Sequence, residues 1–217
     1  MYRRYIKRCL DVGLSTFAFS VLLPLLCLIA IWIKLDSKGP VFFIQKRVGI
    51  HKTYFQLYKF RTMKINTPDN MPTHMLENPD VYITKSGSFL RKTGLDELPQ
   101  LIHIMNGDMS IVGPRPALWN QTDLIVQRDL YGANDVFPGL TGLAQVSGRD
   151  ELSIFTKAKL DGRYVQKLSF LMDVYCVLET LCCVVKQRGY REGTEEEETK
   201  EREMEEEKMD EAHFNHG

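Results

Sequence analysis

Several residue patterns that mark familiar kinds of site are missing from this 217-residue sequence. Its five cysteines form no C-x-x-C pair and no histidine cluster accompanies them, which argues against a zinc site or a disulfide framework and fits a reducing compartment. The glycine-rich segment 137–149 has neither the order of a Walker loop nor that of a G-x-G-x-x-G turn. No helix-turn-helix, RNA-binding or zinc-finger pattern occurs, so nucleic-acid binding ranks low among the possible functions.

The formal net charge is zero, but the charges are unevenly distributed. Residues 191–217 contain twelve acidic and four basic residues, which leaves 24 basic and 16 acidic residues in the preceding part of the chain. A basic body favours anionic partners such as phosphates or lipid headgroups. The acidic tail has almost no apolar residues, and we predict that it is disordered.

A long apolar run covers residues 12–33 and contains no charged residue. As a straight helix it would be about 33 Å long, which is enough to cross the hydrocarbon core of a bilayer. No small-x-small cleavage site follows it, which argues against a signal peptide. Basic residues flank both ends, and positive charge favours the cytoplasmic side at each end.

Pro24 lies at the centre of this run. It removes one helical hydrogen bond and clashes with the carbonyl of Ser20, whose hydroxyl could help to satisfy the disturbed backbone. A bent, re-entrant helix with both ends in the cytoplasm explains the proline and the symmetric charges together. A transmembrane span with a proline kink is the alternative, because proline is also frequent in true spans.

The body after residue 37 has the pattern of an α+β fold that is mainly helical. Strands are predicted over 41–49 and 53–63, joined by 50–52 as a hairpin. Lys59 and Arg61 would project from one face of the second strand and suit a phosphate, although a pair of solvated strand cations is the ordinary alternative. Helices are predicted over 86–91, from about 96 to 107, over 151–166 and over 169–188. The last is very apolar, and we predict a core helix, with a membrane-interface helix as the alternative.

The chemistry is expected around Asp96 and Glu97, which are adjacent. Pro99 is tolerated only in the first turn of a helix, so a helix should begin near Asp96. Two carboxylates at a helix N-terminus, preceded by basic residues that include Arg91, indicate phosphate chemistry through a metal. An aspartate cap followed by a glutamate is the common structural alternative.

Two further arginines are candidates for gripping phosphates. Arg115 stands between two prolines, and such a stiff loop could present its guanidinium to a diphosphate; an exposed turn arginine is the alternative. Arg149 ends the glycine-rich segment 137–149, which could let the backbone approach a nucleotide closely or could be an ordinary connector.

Five short motifs in one order behind the proline-broken helix give a resemblance. They are Lys59-Phe60-Arg61-Thr62-Met63, Leu95-Asp96-Glu97-Leu98-Pro99-Gln100-Leu101, Gly107-Asp108-Met109-Ser110, Gly113-Pro114-Arg115-Pro116 and Pro138-Gly139-Leu140-Thr141-Gly142-Leu143-Ala144-Gln145-Val146. The chain resembles the monotopic phosphoglycosyl transferases, or bacterial sugar transferase family, and among them the small members that consist of the catalytic domain alone. It departs from them at Leu23, where those members typically have serine before the membrane proline, and in the unusual segment 117–120.

The resemblance implies transfer of a phospho-sugar from a UDP-sugar to polyprenol (undecaprenyl) phosphate at the inner membrane, with the catalytic domain facing the cytoplasm and UMP leaving. It implies that Asp96 is the nucleophile, that Glu97 is its acidic partner, and that Mg²⁺ is the metal, held by both carboxylates. The sugar and the oligomeric state stay open. The candidate phosphate or uridine contacts are Lys59, Arg61, Arg91, Arg115 and Arg149, with Asp161 a weaker site candidate.

The expected organisation is a re-entrant membrane helix over 1–36, a catalytic domain at the membrane interface over 37–190 and the acidic tail over 191–217. Two other functions are possible on the same residues. A membrane-bound, magnesium-dependent diphosphohydrolase would use water in place of the lipid acceptor. A non-catalytic adaptor would use the basic face on anionic lipid and the tail for partners.

Overall fold

The computed structural model describes residues 2–67, 81–148 and 151–186. These form a mainly helical fold with a small antiparallel sheet behind an apolar N-terminal helix, as predicted. The predicted tail and Arg149 lie outside the described residues. The elements are α1 (Lys7–Asp36), β1 (Phe42–Val48), β2 (Tyr54–Phe60), α2 (Lys85–Thr93), α3 (Leu101–Asn106), β3 (Ser110–Val112), α4 (Thr122–Asp129), β4 (Gly139–Thr141), α5 (Leu143–Ser147), α6 (Ile154–Gln166) and α7 (Phe170–Lys186).

The predicted hairpin is confirmed. Strands β1 and β2 are antiparallel, with Phe42 opposite Phe60 and Val48 opposite Tyr54. A short 3₁₀ turn joins them, and His51 within it has a positive φ of 52°. The side chains of the hairpin alternate between exposed and enclosed positions, as expected for a sheet that covers one side of a core.

A second, parallel pairing was not predicted. Strand β3 pairs with β4 through Ser110 opposite Gly139, and the glycine-rich segment therefore contributes β4 and α5 rather than an open loop. A Cβ atom on Gly139 or on Gly142 would collide with the backbone of Gly113. These glycines let two backbone segments pack against each other, so the segment is more than an ordinary connector, and its approach to a nucleotide stays a prediction.

Helix α1 is continuous through Pro24 and packs along the body. Its second half buries Leu26, Ile29 and Ile33 against Phe60 and Leu90. The burial of each such side chain stabilises the fold by roughly 1.5–3 kcal/mol.

The outward side of α1 remains apolar and exposed, and within the described residues α1 is long and apolar enough to cross a membrane. The Ser20 hydroxyl donates to the Thr16 carbonyl at 2.9 Å. The hydroxyl therefore does not compensate the Ser20 carbonyl, which lacks its helical hydrogen bond because Pro24 has no N–H. A serine hydroxyl bonded to the carbonyl four residues earlier favours bending of a helix. Helix α1 is nevertheless continuous, and its re-entrant bend stays a prediction.

Helix α7 forms as predicted, but its placement in the core is wrong. Its polar residues face the protein: Asp173 accepts hydrogen bonds from Tyr2 and Tyr164 and pairs with Lys7 at 2.7 Å. Its apolar residues face outward because the polar stripe needs the protein's hydrogen-bond donors. The exposed side chains are Phe170, Leu171, Val174, Tyr175, Val177, Leu178, Leu181 and Val184.

Candidate active site

The two adjacent carboxylates lie in a tight turn between two helices. Gly94 ends α2 with a φ of 70° and at the same time begins a 3₁₀ helix over Leu95–Gln100, which contains Pro99 and leads directly into α3. The predicted helix start is therefore correct, but its first six residues are 3₁₀ rather than α. Because three residues complete one 3₁₀ turn, Asp96 and Glu97 project about 120° apart and meet different neighbours.

Glu97 pairs with Arg115 through two hydrogen bonds. The guanidinium donates to Glu97 Oε1 at 2.7 Å and to Oε2 at 3.3 Å. The prolines that flank Arg115 fix its backbone, as the sequence predicts. The Arg115 side chain is 33% exposed and that of Glu97 is 15% exposed, so the pair lies at the surface of the site and an anion can reach the guanidinium.

Asp96 is buried on the side of the turn that faces β2. The nearby strand residue Lys59 has its pKa lowered to about 8, mainly by burial, while Asp96 and then Glu97 act in the opposite direction. Arg47 and Arg91 lower it further. Lys59, Arg47 and Arg91 therefore lie close enough to the two carboxylates or to one another for their charges to interact, in addition to the Arg115–Glu97 pair. The roles of Lys59 and Arg91 as substrate contacts stay predictions, and Arg47 is a basic neighbour that sequence reasoning missed.

A buried ion pair supports the Arg115 loop from behind. Arg128 on α4 donates to Asp161 Oδ2 on α6 at 2.6 Å and 2.8 Å, and it also donates to the Arg115 carbonyl at 2.9 Å. Burial raises the pKa of Asp161, and the Arg128 guanidinium counteracts that rise. Asp161 therefore reaches the site through Arg128 and the Arg115 backbone, not as a direct ligand. The sequence carried no signal for Arg128, since its helix was not predicted.

Arg61 is not brought to the site. Strand β2 ends at Phe60, and the Arg61 guanidinium is buried at the C-terminal end of α1. It donates to the Ser37 carbonyl at 2.9 Å and to the Lys38 carbonyl at 2.7 Å. Both carbonyls belong to the segment that follows α1, so Arg61 fastens that segment to the end of β2. The geometry gives Arg61 a structural role in place of the predicted phosphate contact.

A groove of about 420 Å³ opens beside Glu97 and Arg115. We call it the α7 groove, since α7 forms one wall and the β4–α5 segment the other. Lys92 and Gly94 lie at its polar end together with the Glu97–Arg115 pair. Its volume falls in the range of roughly 300–1,000 Å³ that is typical of small-molecule sites.

Comparison with known proteins identifies the family. The model of the bacterial sugar transferases matches residues 2–187. The chain belongs to the bacterial sugar transferase family. It is 36% identical to the exopolysaccharide production protein ExoY of Rhizobium meliloti over 202 residues, which is 84% of this chain and 87% of that protein. It is also 36% identical to the uncharacterized sugar transferase EpsL of Bacillus subtilis over 191 residues, covering 88% and 91% of the two chains.

A longer relative carries the same domain as a part of its chain. The UDP-glucose:undecaprenyl-phosphate glucose-1-phosphate transferase of Escherichia coli K12 is 38% identical over 185 residues, which is 82% of this transferase and 40% of that protein. The match places this transferase among the phosphoglycosyl transferases, as the sequence motifs predict.

The donor set of the transferase fits the implied metal. Mg²⁺ is usually held by one or two carboxylates together with substrate phosphates and water, and Asp96 and Glu97 supply two hard carboxylates in one turn. No cluster of three or more metal-ligating side chains occurs within the described residues, so the substrate would have to complete the coordination. When bound there, Mg²⁺ would neutralise part of the charge of the diphosphate.

Proposed function

We propose that this transferase moves a phospho-sugar from a UDP-sugar to polyprenyl phosphate and releases UMP. The observation that carries the proposal is the turn that holds Asp96 and Glu97 between Lys59 on one side and Arg115 on the other. Carboxylates among cations suit a negatively charged diphosphate that must be attacked at phosphorus. The names of several relatives, including the transferase of Escherichia coli K12, support undecaprenyl phosphate as the acceptor.

The proposed reaction proceeds in two displacements at one phosphorus atom. An Asp96 carboxylate oxygen attacks the phosphorus that bears the sugar, the bond to the UMP oxygen breaks, and UMP leaves with the electron pair. A phosphate oxygen of the acceptor then attacks the same phosphorus, and Asp96 leaves as a free carboxylate. A covalent intermediate lets two bulky substrates use one site in turn.

The remaining side chains have distinct tasks in this scheme. Arg115 and Lys59 stabilise the charge that develops on the phosphoryl oxygens. Glu97 orients Arg115 through its two hydrogen bonds, and its separate direction from Asp96 supports different roles for the two carboxylates. Asp161 and Arg128 act as positioning residues, since they hold the Arg115 backbone and do not face the groove.

The proposed topology is a re-entrant helix with both ends in the cytoplasm. Near its start, Lys7 pairs with Asp173 and Asp11 accepts hydrogen bonds from Ser110 and the Ile111 amide. At its end, Asp36 accepts two hydrogen bonds from Ser86. A helix that crossed the bilayer would place these two ends on opposite sides, where one body cannot bind both. The contacts therefore support an insertion that does not span.

Cysteine labelling tests this topology. A membrane-impermeant reagent applied from the periplasm should modify neither the exposed Cys9 nor a Ser37→Cys variant. The same reagent applied to inverted membranes should modify both. Labelling of one end only from the periplasm would indicate a transmembrane span.

The reaction is tested by following UMP release over a panel of UDP-sugars with polyprenyl phosphate. The panel should include UDP-glucose, UDP-galactose and UDP-N-acetylgalactosamine, the sugars that occur in the names of relatives. The expected result is turnover with at least one donor and loss of UMP release in Asp96→Asn, while membrane association persists. Asp96→Asn activity within a few-fold of the native level would contradict the covalent scheme.

A further inference from the structure

One wall of the α7 groove consists of apolar side chains that recur at helical spacing along α7. Val177, Leu181 and Val184 recur at intervals of four and three residues and therefore share one face of α7. Leu140 and Val146 line the groove from the β4–α5 segment. The walls offer an elongated hydrocarbon surface rather than a set of hydrogen-bonding groups.

Most polar atoms next to this wall are already used by the protein, and the exception among the described residues is the Gln145 side-chain oxygen, which is buried without a hydrogen-bond partner. The Thr180 hydroxyl donates to the Cys176 carbonyl and bonds to the Thr141 hydroxyl. The Gln145 side-chain amide donates to the Leu140 carbonyl at 2.9 Å. A polar ligand would find few donors here, whereas a hydrocarbon chain loses nothing by covering these groups.

One end of the groove carries the charges that an anionic headgroup requires. Arg115 and Lys92 line it there, and Arg115 already neutralises Glu97. A ligand with a phosphate at one end and an apolar chain behind it therefore matches both the charge and the polarity of the groove.

The apolar wall continues onto the outer surface of the molecule. Leu171 and Val174 are exposed on α7 beside the groove face. The ring of Phe170 at the start of α7 lies edge-on against that of Tyr2, 6.1 Å away, and so links α7 to the segment that leads into α1. A long hydrocarbon chain can thus leave the groove along a surface that suits the lipid phase.

We propose that the α7 groove holds the first isoprene units of the polyprenyl phosphate acceptor, with its phosphate at Arg115 and Lys92. This inference rests on the proposed function and adds the path by which the lipid reaches Arg115, whose partner Glu97 is the chain neighbour of Asp96. The rival occupant is the donor nucleotide. It fits less well, because its ribose hydroxyls would be buried against Val177, Leu181 and Val184, which accept and donate no hydrogen bonds.

The test compares two leucines of α7 in the full chain. Leu181 lines the groove and is 59% exposed, whereas Leu178 lies outside the groove and is 57% exposed. Leu181→Asn should raise the KM for a long polyprenyl phosphate by about tenfold, as expected when one buried leucine contact is lost. The matched Leu178→Asn variant should change that KM by less than about twofold. Leu181→Ala serves as a second variant that introduces no polar group.

A single-turnover measurement of UMP release without acceptor separates the two substrates. Leu181→Asn and Leu181→Ala should leave this UMP burst unchanged. A reduced burst would assign the groove to the donor and overturn the proposal, as would equal effects of Leu181→Asn and Leu178→Asn on the acceptor KM. Absence of a burst from the native chain with every UDP-sugar would instead refute the proposed function itself.

Discussion

Two arginine–carboxylate pairs in this transferase have the same chemistry and opposite surroundings. Arg115–Glu97 lies at the mouth of the groove, with 33% and 15% of the two side chains exposed. Arg128–Asp161 lies behind it, with 6% and 1% exposed. A buried pair gives up solvation on both partners and keeps no contact with a ligand, whereas a pair at the surface can exchange its partner for a substrate phosphate. Arg115 can therefore contact the substrate, whereas Arg128 only positions the Arg115 loop.

The two pairs are physically connected. The same Arg128 guanidinium that binds Asp161 also donates to the Arg115 carbonyl. The loop that presents Arg115 is therefore fixed by the neighbouring prolines and by the buried pair. The comparison predicts that damage to the buried pair changes stability, while damage to the exposed pair changes catalysis.

The largest effect is expected from breaking the buried pair. Arg128→Met leaves the Asp161 carboxylate buried without its partner and should lower the free energy of unfolding by about 3–5 kcal/mol. Urea denaturation of the purified transferase measures this loss. A change below about 1 kcal/mol would show that Asp161 does not depend on Arg128.

Breaking the exposed pair should lower activity instead. Arg115→Lys keeps the charge but cannot make the two parallel hydrogen bonds, and kcat/KM should fall by about 10²–10³. The free energy of unfolding should change by no more than about 1 kcal/mol, because the pair is partly solvated. Activity within a few-fold of the native value would remove Arg115 from the reaction.

Replacing both members of the buried pair sharpens the comparison. An Arg128→Met/Asp161→Leu double variant removes the isolated charge and should recover most of the stability lost in Arg128→Met, to within about 1 kcal/mol of the native chain. The kcat should remain lowered by several-fold, since the Arg115 carbonyl loses its donor. Full recovery of both quantities would mean that the buried pair has no positioning role.

The smallest effect concerns Lys59 and pH. Because the pKa of Lys59 is lowered to about 8, its charge is lost above that pH, and the KM for the UDP-sugar should rise by about tenfold by pH 9. Lys59→Arg should remove this rise. A native KM that stays flat to pH 9 would exclude Lys59 as a phosphate contact.

The same shift has a defined effect on stability. Folding lowers the pKa of Lys59 from its ordinary value of 10.5, mainly by burial, so the unfolded chain binds this proton more tightly. The cost to the folded state is complete below pH 8 and is relieved as the pH rises toward 10.5. The Lys59 contribution to the free energy of unfolding therefore increases with pH in this window.

The parts that the sequence predicted rest on local rules. The hairpin, the helix start before Pro99 and the stiff Arg115 loop follow from proline chemistry and alternating side chains, which are short-range. Lys59 and Arg61 show where this fails. They share an alternating pattern, yet the strand ends between them, and Arg61 instead binds the segment that follows α1. No local pattern records which distant segment needs a donor.

Helix α7 shows a second limit. Its composition is that of a core helix, but its polar residue Asp173 determines which side faces the protein. Pairing of β3 with β4 and the Arg128–Asp161 pair likewise depend on contacts between distant segments. Such contacts leave no period in the sequence.

The central claim is that Asp96 becomes covalently attached to the phospho-sugar. Intact-mass measurement of the transferase, incubated with an accepted UDP-sugar but no lipid acceptor, tests it most directly. The account predicts an added mass equal to one phospho-sugar, which maps to Asp96, disappears on addition of polyprenyl phosphate and is absent from Asp96→Asn. A native chain that turns over the same donor but never gains this mass would contradict it.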